Sequence, residues 1–270
     1  MIFVHDKGRM ANNILQYGHV YAWGREHNRP TMSMRFAYKY PYFHICHTRH
    51  HNFATYAFAK YAAKLHLIPT VHFDEPDGDT SPQERVMMNR RMVMVTGWEA
   101  HWYDLFLKYK ADIVQLFTFD DAVENVVAKH LNTADGRLRL GVHIRRGDYQ
   151  RFQGGRFFYT DEQYIQLVRS FAEHCADQPL QVYICGNDPA LDKQKFITSL
   201  PEHQVCFPDG NPGEDLCLFS HCDWLIGPPS TFTLVAAMYR DVPLYWVQNT
   251  EQPVEPSCFG HFNELFRQII

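Results

Sequence analysis

The stretch that decides the fold runs from Leu138 to Tyr149 and reads LRLGVHIRRGDY. Its first seven residues alternate apolar side chains with polar or small ones, which predicts a β-strand with one buried face. Residues two apart share a face of a strand, so we expect His143 and Arg145 to point the same way. The strand then breaks at residues 146–148, Arg-Gly-Asp, a turn-forming sequence.

This stretch predicts a ligand site at one edge of a sheet. His143 and Arg145 stand at the carboxyl end of a strand expected to be central. Ligands bind at the carboxyl ends of the strands in open α/β sheets. A rigid arginine suits a phosphate there, because its planar fork donates two parallel charge-assisted hydrogen bonds.

Composition bounds the class of protein. The chain has 270 residues, of which 46% are hydrophobic, enough for one large or two modest domains. A net charge of −4 argues against a nucleic-acid partner recruited by bulk charge. Because no apolar run approaches the ~20 residues that span a bilayer, we expect no transmembrane segment. The seven cysteines lack tight spacing and no leader precedes the first strand, so we expect reduced thiols in the cytoplasm.

The second half of the chain alternates predicted strands and helices. After the organising strand come strands at 180–185, 223–227 and 243–247, separated by helices at 160–176, 214–222 and 231–239. This order predicts a parallel sheet covered by helices. The polar, turn-forming segment 132–137 predicts a domain boundary, which divides the chain into 1–135 and 136–270.

The first half begins with a similar unit. Residues 2–4 form an apolar strand, a loop containing Gly8 follows, and a helix is predicted over 12–27 with Asn12 as its N-cap. The backbone N–H groups of such a loop and helix start can bind an anion, although an ordinary strand-to-helix turn has the same composition. A further strand is predicted over 87–95.

Polar side chains follow three strands of the second half. They are His143 and Arg145, then Asn187 and Asp188, then Ser230 with Thr231 at a helix start. Arg145 and the helix start suit a diphosphate, while a carboxylate such as Asp188 matches the paired donors of guanine. Together they predict a site for a guanine nucleoside diphosphate.

At these residues the chain resembles the α-1,2-fucosyltransferases, which belong with the α-1,6- and protein O-fucosyltransferases. Residues 143–149, HIRRGDY, match the family motif HxRRGDY, and residues 8–17, GRMANNILQY, align without gaps to the family opening GGLGNQMFQY. Weaker similarity covers three further segments, namely 182–189 (VYICGNDP), 214–222 (EDLCLFSHC) and 228–236 (PPSTFTLVA). The chain departs from the family pattern at Ala11, where the family has Gly, and after residue 227, where the family's Asn and Trp pair are missing.

The resemblance implies a GT-B-like α/β fold, in which two Rossmann-like domains carry parallel sheets that face a cleft. It implies an inverting transferase that moves fucose from GDP-fucose to a glycan hydroxyl, with α-1,2 linkage and without a cofactor or metal. Residues 1–135 would form the acceptor side and 136–270 the GDP-sugar side. Implied donor contacts are Gly8, Arg9, Asn12, His143, Arg145, Arg146, Asn187, Asp188, Ser230, Thr231 and Phe232.

The reaction needs a cation at the leaving phosphate and benefits from a base at the acceptor. Arg145 supplies the cation. Asp148 is the candidate base, although it could instead orient the turn or pair with an arginine; His5, Asp6 and Glu162 are weaker candidates. Peripheral association with a membrane is compatible with the resemblance.

Other functions remain open at this point. The enzyme could use another GDP-sugar, or the chain could be a carbohydrate-binding or adhesive protein that uses Arg-Gly-Asp and its aromatics. A metalloenzyme built on the histidine- and cysteine-rich segment 38–51, or on the DxD at 77–79, is disfavoured because neither has typical ligand spacing. GDP binding separates the first class from the others.

Overall fold

The computed structural model describes residues 1–5, 7–76, 78–132, 136–175, 178–186 and 188–268. The chain divides into two compact units, Met1–Asp120 and Asp121–Ile270. Each unit contains a parallel sheet with helices packed on it, which confirms the predicted α/β class. Among the described helices, none combines the length and the apolar composition that crossing a membrane requires.

The first unit is built on a four-stranded parallel sheet in the order β2-β1-β4-β3. Its strands are β1 (Ile2–His5), β2 (Thr31–Ser33), β3 (Thr70–His72) and β4 (Val93–Thr96). Its helices are α1 (Met10–Glu26), α2 (Phe53–Lys64), α3 (Ser81–Asn89), α4 (Tyr103–Lys108) and α5 (Lys110–Leu116).

The core of the first unit covers both faces of its central strands. Residues 2–4 of β1 and all four residues of β4 are buried, as expected for parallel strands covered on both faces. One cluster joins Phe3 and Met94 of the sheet to Ala59 and Ala62 of α2. The small alanines let α2 lie close to the sheet.

The second unit is built on a five-stranded parallel sheet in the order β7-β6-β5-β8-β9. Its strands are β5 (Arg139–Ile144), β6 (Gln181–Gly186), β7 (Gln204–Cys206), β8 (Trp224–Gly227) and β9 (Leu244–Trp246). Its helices are α6 (Asp121–Leu131), α7 (Asp161–Glu173), α8 (Lys193–Ser199), α9 (Pro212–Ser220), α10 (Thr231–Arg240) and α11 (Phe262–Leu265).

Strand β5 is the central strand, but the expectation of a single buried face was wrong. It pairs with β6 on one side and β8 on the other, and residues 140–144 are all buried. A Cβ atom on Gly141 would lie 2.6 Å from Leu225 Cδ2 and 2.8 Å from Phe219 Cδ1. The glycine therefore allows the second face of β5 to be covered closely.

Two helix starts of the second unit are confirmed in detail. The Thr160 side chain accepts a hydrogen bond from the Gln163 N–H, and the Gln163 side chain accepts one from the Thr160 N–H, forming the predicted capping box. The Ser230 hydroxyl accepts a 3.1 Å hydrogen bond from the Phe232 N–H and caps α10. These local contacts place the first turn of each helix at the carboxyl edge of the sheet.

Two boundaries in the first unit differ from expectation. Helix α1 begins at Met10 with Arg9 as N-cap, so Asn12 lies in its first turn and is not the N-cap. Residues 87–89 belong to α3, and the strand starts only at Val93; the apolar run there serves first one face of a helix and then a strand. The functional division at residues 135 and 136 stays a prediction; by its contacts α6 groups with the second unit, where it packs on α9.

Candidate functional site

Arg145 lies at the carboxyl edge of the second sheet, where four contacts hold its guanidinium. It follows the last residue of β5 and donates to both oxygens of Asp148, from Nη2 at 2.8 Å and from Nε at 3.3 Å. Its Nη1 lies 3.4 Å from the Ser230 hydroxyl. Its Cζ lies 4.4 Å from the centre of the Tyr149 ring. Four contacts thus hold a guanidinium that remains 17% exposed.

Tyr149 connects the two loops that surround this guanidinium. Its hydroxyl donates a 2.5 Å hydrogen bond to the carbonyl of Pro229, just before α10. Its ring also stacks on Phe152 at 5.1 Å between centroids. Tyr149 is itself buried, so it fixes the loop after β5 against the loop after β8. Sequence reasoning quoted this tyrosine in the motif but did not assign it a role.

His143 is a buried neutral imidazole with an unused nitrogen. Burial, and secondarily the charge of Arg145, lowers its pKa to about 3. Its ring packs between Phe219, at 6.0 Å, and Phe232, at 5.0 Å. Its Nδ1 finds no hydrogen-bond partner within the described ranges. An unsatisfied buried nitrogen is costly, so this atom marks a position where a ligand group would be stabilised.

The start of α10 supplies the third part of the edge. Ser230 is buried and joins the Arg145 guanidinium to the helix cap, while Thr231 and Phe232 form the first turn. A helix start carries partial positive charge and backbone N–H groups beyond the helical hydrogen-bonding pattern. His143 and Arg145 at the end of β5 therefore lie beside the start of α10, so two of the three segments predicted to converge are in contact here.

Arg146 points away from Arg145 into a buried network. Its guanidinium donates to Asp161 at 2.5 Å, to Asp188 at 3.2 Å and to the Tyr159 carbonyl at 2.7 Å. The Arg146 side chain is only 9% exposed. The structure therefore gives it a scaffolding position that ties the ends of β5 and β6 to the start of α7. Its predicted contact with a donor stays a prediction.

Asp188 takes part in the same network. Its Oδ2 accepts from Arg146 and its Oδ1 accepts a 2.9 Å hydrogen bond from the Ala190 N–H. Each carboxylate oxygen accepts two hydrogen bonds, so capacity for a ligand remains. The predicted partner Asn187 lies outside the described residues. The guanine-reading role of this segment stays a prediction.

The loop of the first unit has a defined geometry of its own. Gly8 has φ of +86°, and a Cβ there would lie 2.6 Å from the Asn12 amide nitrogen, so a larger residue does not fit. Asn13, fully buried, donates a 2.7 Å hydrogen bond to the Arg9 carbonyl. The Gln16 side chain closes the loop through two hydrogen bonds to the Lys7 backbone, of 2.9 and 3.0 Å.

Asn13 and Gln16 were not among the predicted site residues, although both lie in the quoted segment. A third missed residue is Asp215 on α9, whose burial raises its pKa to about 7. Its carboxyl group bonds to the Cys185 thiol, at the end of β6. A buried carboxyl group near neutrality marks a functional position more often than a solvated one. Its signal in the sequence was the EDL segment.

Within the described ranges, one group offers three ligand atoms within 4.8 Å of one another: Glu124, Cys217 and His221, on α6 and at α9. His221 Nε2 lies 3.3 Å from Glu124 Oε2, so two of the three side chains already contact each other. Asp79 accepts a hydrogen bond from the Ser81 N–H at the start of α3, while Asp77 lies outside the described residues.

No protein-family model matches the chain. Galactoside alpha-(1,2)-fucosyltransferase 2 of Gorilla gorilla gorilla is 24% identical over 262 residues, covering 92% of this chain and 72% of that protein. Galactoside 2-alpha-L-fucosyltransferase SEC1 of Bos taurus is 24% identical over 266 residues, covering 93% and 67%. The match to the alpha-(1,2)-fucosyltransferase 2 of Pongo pygmaeus, 26% identical, spans 61% of this chain and half of that protein.

Solved structures resemble the chain in fold. A mutant of Arabidopsis thaliana FUT1 in complex with GDP aligns with a TM-score of 0.63 at 11% identity, covering 96% of this chain and 73% of that one. POFUT1 in complex with GDP-fucose gives 0.60 at 10% identity, covering 89% and 94%. NodZ alpha-1,6-fucosyltransferase soaked with GDP-fucose gives 0.52 at 12% identity, covering 96% and 97%.

These likenesses confirm the predicted resemblance and the predicted GT-B-like α/β architecture of two parallel sheets. The cleft between the sheets stays a prediction. Over most of its length the chain is thus similar in sequence to galactoside α-1,2-fucosyltransferases, and similar in fold to FUT1, POFUT1 and NodZ.

Proposed function

We propose that this protein is a glycosyltransferase that transfers fucose from GDP-fucose to a hydroxyl group of a galactose-containing glycan, forming an α-1,2 linkage with inversion. The similarity to galactoside α-1,2-fucosyltransferases along most of the chain supports the reaction class. The observation that carries the proposal is Arg145, held by Asp148 and Ser230 beside the start of α10.

The proposed chemistry is a single displacement. The acceptor hydroxyl oxygen attacks the anomeric carbon of fucose from the face opposite GDP. The bond from that carbon to the β-phosphate oxygen breaks, and its electron pair leaves with GDP. The hydroxyl proton passes to a base or to water. Negative charge grows on the leaving phosphate, where Arg145 and the start of α10 stabilise it electrostatically.

Asp148 is proposed to act through Arg145. Both of its oxygens accept hydrogen bonds from the guanidinium, so the carboxylate orients the cation. This arrangement favours the pairing alternative for Asp148 over the general-base alternative. The proton acceptor is then another group or water.

Further donor contacts are part of the proposal. The free Nδ1 of His143 can bond a donor oxygen, and Ser230, Thr231 and Phe232 present the helix start. Gly8, Arg9 and Asn12 are proposed as donor contacts from the first unit, with their loop held by Asn13 and Gln16. Arg146 is proposed to support the site by positioning Asp188, beside Asn187.

Several further points belong to the proposal. GDP-fucose is the donor substrate, and the cationic site serves the leaving phosphate without a metal. Residues 1–135 form the acceptor side and residues 136–270 the donor side. The protein acts in the cytoplasm, in contact with a membrane surface, and nucleic acid is not a partner.

Calorimetry of the whole protein with GDP, ADP and UDP in the presence of a chelator tests the nucleotide site. We expect selective binding of GDP, and Arg145→Ala is expected to weaken it by about tenfold or more, as for lost charged hydrogen bonds. Arg156→Ala, an exposed arginine of the same loop region, is the matched control. Absence of binding by every nucleotide would favour a carbohydrate-binding protein instead.

A transfer assay tests the donor and acceptor. GDP-fucose and GDP-mannose are offered with a β-galactoside, and the product is analysed for linkage and anomeric configuration. We expect fucose alone to be transferred, to the galactose 2-hydroxyl. Transfer of mannose would assign the site to another GDP-sugar while leaving the nucleotide assignment intact.

A further inference from the structure

Helix α2 presents several of its large side chains outward. Its two fully buried residues are the small Ala59 and Ala62, which pack on the first sheet. Phe53, Tyr61 and Leu65, spaced at multiples of four residues, share the opposite face and are 66%, 56% and 64% exposed. A surface helix normally buries most of its large apolar side chains, so this helix departs from the usual pattern.

Neighbouring side chains extend the exposed apolar surface. Phe58 of the same helix and Leu67 just after it are 51% and 73% exposed. Tyr38 packs on Tyr56 with ring centroids 4.5 Å apart, and is itself 45% exposed. The surface defined by Tyr38, Phe53, Phe58, Tyr61, Leu65 and Leu67 is called the aromatic face below. Exposed apolar patches of this kind mark contact with a protein or a membrane.

The segment that carries the aromatic face holds charge of one sign. Residues 31–73 contain no aspartate or glutamate, although the whole chain carries more acidic residues, 30, than basic ones, 26. The same segment contains five lysines or arginines: Arg35, Lys39, Arg49, Lys60 and Lys64. Asp74, which follows this segment directly in the chain, pairs with Lys7 at 3.1 Å.

One of these cations borders the rings directly, and a second lies on the same helix. Lys60 and Lys64 are exposed residues of α2 itself. The Lys60 Nζ lies 5.6 Å from the Tyr56 ring centre and 6.0 Å from that of Tyr61. Long lysine side chains beside exposed aromatics can keep their charge among headgroups while the rings enter the interface.

This combination favours a bilayer over a protein partner. The cores of protein interfaces are depleted of lysine, whereas here lysines sit among the rings. A symmetric contact with a second copy would bring the same cations face to face with no acidic residue in 31–73 to balance them. An anionic membrane surface complements both features, because it attracts each basic group and accepts aromatic rings at its boundary.

We propose that the aromatic face binds the surface of a bilayer that contains anionic phospholipids, with Lys60 and Lys64 at the headgroups. This proposal rests on the proposed function, because it specifies the peripheral membrane contact included there. The residues that carry it all belong to the first unit. Membrane binding is measured without donor, and GDP binding without vesicles, so that either proposal can fail independently.

The test is co-sedimentation of the whole protein with vesicles of phosphatidylcholine, with and without phosphatidylglycerol. We expect binding only to the anionic vesicles, and its loss at high salt because screening weakens the attraction. Lys60→Glu with Lys64→Glu should reduce the partition coefficient by about tenfold or more. Phe53→Ser with Tyr61→Ser and Leu65→Ser should also reduce it, since exposed apolar groups no longer enter the interface.

The matched control is Lys129→Glu with Lys193→Glu, which changes the net charge equally on exposed residues of the second unit. It should bind vesicles like the wild type, and all variants should retain their circular dichroism. Equal loss in the control, no effect of either α2 variant, or no vesicle binding by the wild type would overturn the proposal. So would a dimer in sedimentation equilibrium that the serine variant converts to monomer.

Discussion

Both carboxylate oxygens of Asp148 accept hydrogen bonds from the guanidinium of Arg145, one from Nη2 at 2.8 Å and one from Nε at 3.3 Å. The two residues are three apart in a turn, and the carboxylate is 47% exposed while the guanidinium is 17% exposed. The carboxylate thus lies on the solvent side and turns the remaining nitrogen, Nη1, towards Ser230. The cation is preorganised before any ligand arrives, which is what electrostatic stabilisation of a leaving group requires.

Asp148→Asn separates positioning from base catalysis. Because the amide can accept only through its single oxygen, Arg145 loses orientation, and we expect kcat to fall by about 10- to 100-fold. The shape of the pH–rate profile should stay as in the wild type. If Asp148 is the general base, the acidic limb of that profile disappears instead, and so the profile decides between the two roles.

The Arg146→Ala variant should have a lower free energy of unfolding than the wild type. It removes the partner of two buried carboxylates, Asp161 and Asp188, and breaking a buried ion pair typically costs ~3–5 kcal/mol. Urea unfolding measures the change in the free energy of unfolding. Arg156→Ala, in an exposed position, should stay within ~0.5 kcal/mol of the wild type. Equal, small effects of both variants would contradict the scaffolding position of Arg146.

His143→Leu should weaken GDP binding without weakening the fold. The imidazole Nδ1 has no partner among the described residues, so an apolar residue of similar size removes an unsatisfied group. We expect the free energy of unfolding to change by less than ~1 kcal/mol and GDP affinity to fall about tenfold. Unchanged GDP affinity in calorimetry would show that this nitrogen does not face the nucleotide.

Buried histidines should make the protein acid-sensitive. Burial lowers the pKa of His19 and His143 to about 3 and that of His51 to about 4, whereas the unfolded side chains titrate at 6.5. Below pH 6.5 the unfolded chain therefore binds protons that the native state does not bind. The free energy of unfolding should fall as pH drops from 6.5 towards 4, by up to ~1.4 kcal/mol per pH unit for each histidine.

Urea titrations at several pH values measure this slope, and His143→Leu should reduce it by about one proton. A slope unchanged in that variant would mean that His143 is already protonated in the native state.

Asp215 should change the free energy of unfolding with pH in the direction opposite to that of the buried histidines. Burial raises its pKa to about 7 from 3.8, so between these values the native state holds a proton that the unfolded state has lost. Its contribution to stability is present below pH 3.8 and is lost as pH rises through 7. Asp215→Asn removes this term, and we expect the dependence of stability on pH between 4 and 6.5 to become steeper. A shallower slope would contradict the raised pKa.

Local patterns predicted much of the second unit. The alternation in β5, the capping box of Thr160 and Gln163, and Ser230 at the start of α10 depend on neighbours within a few residues, so the sequence was enough. Three-residue edge strands such as β3 and β7 were missed, because so few residues show no period. The run at 87–95 was misassigned since a short apolar stretch fits either a helix or a strand.

The sequence by itself determined the parallel α/β order and the three segments that end at one sheet edge, because strand period and turn composition are local properties. Only the tertiary structure decided what each polar group there does. Arg145 and Arg146 are adjacent and chemically identical, yet one is held at the edge by Asp148 and the other is buried against Asp161 and Asp188. Residues brought together across the fold set the direction of the Arg145 and Arg146 side chains, the burial of His143 and the pKa of Asp215. No local sequence pattern encodes these contacts between distant residues.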